Sequence, residues 1–200
     1  LQIIKGSGVN TYKFRKRRIL IKEDKIVFTF IGRIIKEKGI IEFLNAVIKF
    51  NRIYPNKAKF LILGSLYKNN FLFNKKFKRY LKISKICHIS KSNKVNEFIE
   101  NSNFIVLPSY REGLSKVLLE AISIGRPIIT SNVPGCSELV KDGVNGYLLN
   151  NISSDEILKA FKKSILLNQS KLSIMSNKSN LLSRKYTEER VNYSYTLLIE

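Results

Sequence analysis

The chain has no apolar run approaching the roughly 18 uncharged residues that a membrane-spanning helix needs, and no basic stretch leading into a hydrophobic signal core. Both absences point to a soluble, unexported chain working in the cytoplasm. Cysteine is scarce: Cys87 and Cys136 lie far apart with no C-x-x-C spacing, which argues against a zinc site or a disulfide framework and leaves packing as the expected role of both. Histidine is scarcer, with His88 alone. No internal repeat and no low-complexity linker is present. Acidic residues are few, 15 Asp and Glu against 36 Lys and Arg, and the formal charge of +21 suits an anionic partner: nucleic acid, anionic lipid or an anionic substrate. Charge by itself does not choose among these, because Lys, Asn and Ile are abundant throughout, as base composition alone would produce.

What the chain does have is enough apolar material, 44% over 200 residues, to bury the core of one ordinary domain with an appended tail. Short apolar runs alternate with longer amphipathic ones, the pattern of stacked βαβ units around a doubly wound parallel sheet. Strands are expected at 26–31, 59–63, 86–89, 104–107, 127–130 and 147–149. Helices are expected at 38–54, 74–83, 95–101, 115–124, 137–140 and 155–167, the first ending at Tyr54-Pro55 because Pro disfavours helix in the residue before it. After Asn168 the strand signals stop, and two helical stretches are expected at 171–184 and 187–199, the second capped by Thr187. The partition is 1–20 as a linker remnant with the charge run Arg15-Lys16-Arg17-Arg18, 21–168 as the α/β domain, and 169–200 as a helical tail. The opening Leu1-Gln2-Ile3-Ile4, without methionine and strand-like, suggests a fragment. Residues 75–82 set basic side chains around an apolar stripe, which fits peripheral contact with an anionic membrane and equally an ordinary solvated helix.

In an open parallel sheet, ligands bind at the carboxyl ends of the strands. After the first strand comes Gly32-Arg33-Ile34-Ile35-Lys36-Glu37-Lys38-Gly39, a glycine turn with cations before a helix, suited to a diphosphate or simply a solvated turn. After the fourth comes Pro108-Ser109-Tyr110-Arg111-Glu112-Gly113-Leu114-Ser115, leading into a helix that carries Glu120. Glu112 is placed to accept hydroxyl protons from a polyol, Gly113 lets backbone approach a ligand, and Glu120 either holds ribose hydroxyls or is a surface glutamate. After the fifth comes Thr130-Ser131-Asn132-Val133-Pro134-Gly135-Cys136-Ser137-Glu138, whose role is to shape the cleft, with Glu138 structural. His88, on the third strand, is also taken as structural.

The spacing Glu112-Gly113-x6-Glu120, preceded by Leu107-Pro108-Ser109 and followed by Ala121-x3-Gly125-Arg126-Pro127-Ile128, closely resembles the C-terminal domain of family-4 retaining glycosyltransferases of the GT-B fold. The resemblance runs from about Gly6 to Leu149 and implies a Rossmann-like half of a GT-B enzyme in polysaccharide biosynthesis. It further implies that Arg33 and Lys38 neutralise the diphosphate of a UDP- or GDP-sugar and that Glu120 holds the ribose. Glu112 would contact the transferred hexose, with the amides of Gly113 and Leu114 meeting phosphate. In such enzymes a same-face displacement is usual, and neither metal nor cofactor is expected, in keeping with the absence of an Asp-x-Asp motif. A glycan or lipid-linked acceptor would sit on an N-terminal domain that this chain lacks, and apolar residues around Tyr193, Tyr195, Leu197 and Leu198 would meet that domain. Three departures stand out: Asn10 where the family commonly has Asp, a single glycine in Gly64-Ser65-Leu66, and Ser90 where a glycine is usual near the base.

Other readings carry less. Sugar epimerisation lacks an obvious His or Asp cluster, nonspecific nucleic-acid binding rests on charge without a recognisable module, and an inactive glycosyltransferase remnant is suggested by the missing half.

Overall fold

The structure is a computed structural model that describes residues 6–67, 70–84 and 86–199, with side chains to residue 196; the opening residues 1–4 and the side chains of Leu197 and Leu198 lie outside this set. Six strands, β1 (Ile26–Ile31), β2 (Ala58–Leu63), β3 (Cys87–Ile89), β4 (Phe104–Leu107), β5 (Ile128–Ser131) and β6 (Gly146–Leu149), form one sheet in the order β3-β2-β1-β4-β5-β6. Every pairing is parallel. A parallel sheet covered on both faces calls for near-continuous apolar strands, and β4 is buried at all its positions.

The helices are α1 (Ile40–Ile53), α2 (Phe71–Ser84), α3 (Val95–Glu100), α4 (Lys116–Ile124), α5 (Ser154–Ile165), α6 (Gln169–Ser183) and α7 (Glu188–Ile199). α1 packs against α2 and α5 on one face of the sheet, and α4 against α3 and α6 on the other. On the first face, Phe161 of α5 closes an aromatic cluster, its ring 4.5 Å from Phe28 and 5.3 Å from Phe60, with Phe43 and Phe50 meeting it edge-on.

Strand and helix positions follow the hydrophobic periods with local differences: the second helix, expected at 74–83, begins at Phe71, and the short helix expected at 137–140 is a 3-10 turn at Ser137–Leu139. The first helix was expected from residue 38, but the chain makes a short 3-10 turn at Lys36–Lys38 and begins α1 only at Ile40. Between them Gly39 adopts φ 67°, where an added Cβ would lie 2.1 Å from the Pro108 carbonyl oxygen, so the break is imposed by the neighbouring loop. Cys87 is exposed, whereas Cys136 is fully buried and its thiol is pushed up to about 11 by that burial. Packing therefore describes Cys136 alone, because Cys87 sits on the edge strand β3.

The charge run expected in a linker is stitched to the fold. Arg126, 1% exposed, donates to the carbonyl oxygens of Arg17 (3.0 Å), Arg18 (3.1 Å), Ile99 (3.3 Å) and Glu100 (2.7 Å). Burial lowers its guanidinium to about 10, partly offset by Glu100, so it remains a cation at neutral pH. Arg17 also pairs with Glu100 at 3.3 Å. Replacing Arg126 by Met leaves these oxygens without a donor, each at a cost of about 1–3 kcal/mol. The Arg126→Met chain should lose about 3 kcal/mol or more in denaturant melts, and Arg126→Lys, which cannot reach four carbonyls, should recover little of it.

Candidate functional site

The strand order reverses between β1 and β4, and the carboxyl ends of these two strands define the crevice where a doubly wound sheet binds ligands. Backbone hydrogen bonds hold the loops there. Ile34 N donates to Ser65 O at 2.9 Å, joining the β1 and β2 loops, and Tyr110 N donates to Glu37 O at 2.8 Å, joining the β1 and β4 loops.

These contacts bring Lys38 and Glu112 together. Lys38 Nζ meets Glu112 Oε2 in an ion pair whose side chains are only 15% and 14% exposed. Arg33, on the same loop, is exposed and makes no ion pair among the described residues. The β5 loop buttresses the arrangement: Gly135 has φ 77°, and a Cβ there would lie 2.0 Å from Gly113 O. Gly113 itself opens to space, with nothing within 4 Å of an added Cβ, while Leu114 packs partly buried on the core beside Gly6.

The next element is α4, whose N-cap Ser115 makes no side-chain capping bond. Ser115 Oγ and Ser109 Oγ are both buried without a partner among the described residues. A helix start carries amides without intrahelical partners and a partial positive charge, so this end is equipped for an anion. Glu120 lies one turn further along α4, half-buried, with no hydrogen bond or ion pair among the described residues. Burial raises its carboxyl above the usual range, and Lys116 and Lys13 only partly offset this. A carboxylate so placed has acceptor capacity that a polyol's hydroxyls satisfy.

Residues singled out for their departures also find partners. Asn10 Nδ2 donates to Glu188 Oε2 at 3.1 Å, where an aspartate would place two anions together, so the amide matches α7. His88 Nε2 lies 2.8 Å from Gly64 O and its ring meets Phe77 edge-on, tying β3 to the β2 loop. Ser90 is exposed. One pair escaped sequence reading: Tyr110 donates its hydroxyl to Glu42 Oε1 at 3.0 Å, and Glu42 Oε2 is buried without a partner among the described residues. Burial first, and Glu42 second, raise the Tyr110 hydroxyl above its ordinary value. An acid in a first helical turn reads as an ordinary complement to the helix dipole, so no local signal marked Glu42.

A family model described as Glycosyl transferases group 1 matches residues 12–180. A Staphylococcus aureus capsular polysaccharide biosynthesis glycosyltransferase, CapM, is 28% identical over 154 residues, covering 72% of this chain and 40% of that protein. The N,N'-diacetylbacillosaminyl-diphospho-undecaprenol alpha-1,3-N-acetylgalactosaminyltransferase of Campylobacter jejuni is 26% identical over 181 residues, covering 85% of this chain and 46% of that protein. Among solved structures, Anabaena HepE in complex with UDP and glucose superposes with a TM-score of 0.82 at 16% identity, over 96% of this chain and 55% of that one. The C-terminal domain of a glycosyl transferase group 1 family protein from Francisella tularensis superposes with a TM-score of 0.76 at 23% identity, over 89% of this chain and 97% of that one. The chain thus spans about half or less of the length of the curated relatives it matches.

Two measurements test the geometry. Glu120 holds its proton to higher pH in the fold than in the unfolded chain, so it costs no stability below the ordinary carboxylate range and destabilises progressively as pH rises through that range to its raised folded value. Glu120→Gln should leave the melting temperature unchanged below about pH 4 and raise it at neutral pH. Gly113→Ala should melt within about 0.5 kcal/mol of the parent, whereas Gly135→Ala, which meets the Gly113 carbonyl from a left-handed backbone, should lose about 2 kcal/mol or more.

Proposed function

The chain belongs to the group 1 glycosyl transferases, and on that premise we propose that it is the nucleotide-sugar-binding, C-terminal half of a retaining hexosyltransferase of the GT-B type. The observation that carries this reading is the meeting of Lys38, Glu112 and the uncovered Gly113 backbone at the N-terminus of α4. In this reading Arg33, Lys38 and the α4 amides next to Gly113 and Leu114 neutralise the donor diphosphate, and they stabilise the charge that grows on it as the glycosidic bond breaks. Glu112 accepts hydroxyl protons of the transferred hexose, and Glu120 those of the ribose. Lys38 and Glu112 occupy each other without donor, so binding exchanges one ion pair for contacts to phosphate and sugar. The leaving diphosphate departs on the face from which the acceptor hydroxyl enters and helps to take its proton, giving retention. With cations and helix amides facing the diphosphate, neither metal nor cofactor is required.

The same proposal assigns residues 21–168 to the donor domain, 1–20 to a linker and 169–200 to a helical tail. It assigns an acceptor domain outside this chain and a glycan or lipid-linked acceptor in polysaccharide assembly. The place of work is the cytoplasmic face of a membrane, approached peripherally; no described helix is long and apolar enough to cross one.

Calorimetric titration with UDP and with GDP tests the donor site. Saturable binding of one nucleotide, weakened about tenfold or more by Glu120→Ala and by Arg33→Ala, is the expected result. Affinity unchanged in both variants places the donor elsewhere and overturns the residue assignments.

A further inference from the structure

α2 is amphipathic in two different senses. Its inner stripe, Phe73, Phe77, Leu81 and Ser84, faces the core, with Phe77 fully buried. Its outer face carries Lys75, Lys76, Lys78, Arg79 and Lys82, all exposed, and no acidic residue occurs in the helix. None of these five cations takes part in an ion pair among the described residues. A solvated helix with this much like charge is ordinarily relieved by glutamates three or four residues away. Here the positive charge is left uncompensated.

The same face also exposes large apolar groups. Phe71 and Leu72, at the start of the helix, are 78% and 79% exposed, and Ile83 near its end is 54% exposed. Positions 72, 75, 76, 79 and 83 recur at helical spacing, so apolar and cationic side chains share one stripe. With Ile48 of α1 and Tyr80, they line a surface groove of ≈ 640 Å³. Tyr67, also exposed, is held beside the helix start by Asn74 Nδ2, which donates to its carbonyl oxygen at 2.9 Å.

We propose that this outer face of α2, with the groove it shares with α1, docks onto the interface of an anionic lipid bilayer. Cations attract anionic headgroups, while Tyr67, Phe71 and Leu72 enter the boundary between headgroup and acyl chain; neither contribution alone holds a protein stably, and together they do. The aliphatic Leu72 and Ile83 favour lipid over nucleic acid, whose phosphates would match the lysines and whose bases could stack on Phe71 but which offers little to exposed aliphatic groups. Topology adds a consequence. α2 follows β2, so Phe71 and Leu72 lie at the carboxyl edge of the sheet, the rim that carries Lys38 and Glu112. Docking there sets the rim that carries the donor site beside the surface from which a lipid-linked acceptor would come. The inference rests on the peripheral-membrane part of the proposed function and on none of the donor-site residues.

The test is flotation of the chain with vesicles of phosphatidylcholine and of equimolar phosphatidylcholine and phosphatidylglycerol. Three variants are compared: Lys75→Gln/Lys76→Gln/Arg79→Gln, Phe71→Ser/Leu72→Ser, and Lys171→Gln/Lys178→Gln/Lys185→Gln, which removes equal charge elsewhere. Binding confined to the anionic vesicles, reduced about a hundredfold by the α2 charge variant, about tenfold or more by the Phe71/Leu72 variant and little by the distant one, is the expected result. Equal loss in both charge variants means that bulk charge alone attracts the chain, and overturns the proposal. Indifference to Phe71→Ser/Leu72→Ser also overturns it, as does binding to single-stranded RNA that the α2 charge variant abolishes while vesicle binding is unaffected. Nucleotide titration of the same variants keeps the two readings apart: lost flotation with nucleotide affinity intact reports the membrane face, and lost nucleotide affinity with flotation intact reports the donor site.

Discussion

The parallel pairing of β1 with β4 at the centre of the sheet governs what the molecule can do. Because all six strands run the same way, every carboxyl end lies on one rim, and because the order reverses between β1 and β4, the loops that follow these two strands meet at the place where such a sheet binds ligands, held by the Tyr110–Glu37 backbone bond and the Lys38–Glu112 pair. Lys38, Glu112, Gly113 and the start of α4 all occupy that rim. On the opposite rim the Arg126 guanidinium gathers four carbonyl oxygens from the entering chain and the end of α3.

The contrast between the two glutamates of the site is electrostatic. Glu112 is shielded but paired with Lys38, and so has a partner that compensates its burial. Glu120 is half-buried with only distant attraction from Lys116 and Lys13, and its carboxyl responds by holding its proton more tightly. Ser115 and Ser109, whose hydroxyls are buried without partners among the described residues, extend the same pattern around α4.

Much of this was legible in the residues. Strand positions came from short apolar runs, and β1 and β4 agree to the residue because each starts after a polar residue and stops at a glycine or a proline. Less legible was anything decided by one loop touching another. The start of α1 depends on Gly39 meeting Pro108, and the exposure of Cys87 depends on β3 being an edge. Glu42 and Tyr110 are 68 positions apart and become partners only when α1 and the β4 loop converge.

The sequence by itself determined the α/β class, the alternation of elements and the family, since hydrophobic period and the Glu112-Gly113-x6-Glu120 spacing are local properties of the chain. Tertiary structure alone decided which charges are neutralised and which are left waiting. It paired Lys38 with Glu112, left Arg33 and Glu120 without ion pairs among the described residues, and set cations of α2 that form no ion pair among those residues beside exposed Phe71 and Leu72. The reason is that burial and ion pairing depend on distances through space between residues far apart in the chain, which no spacing along it encodes.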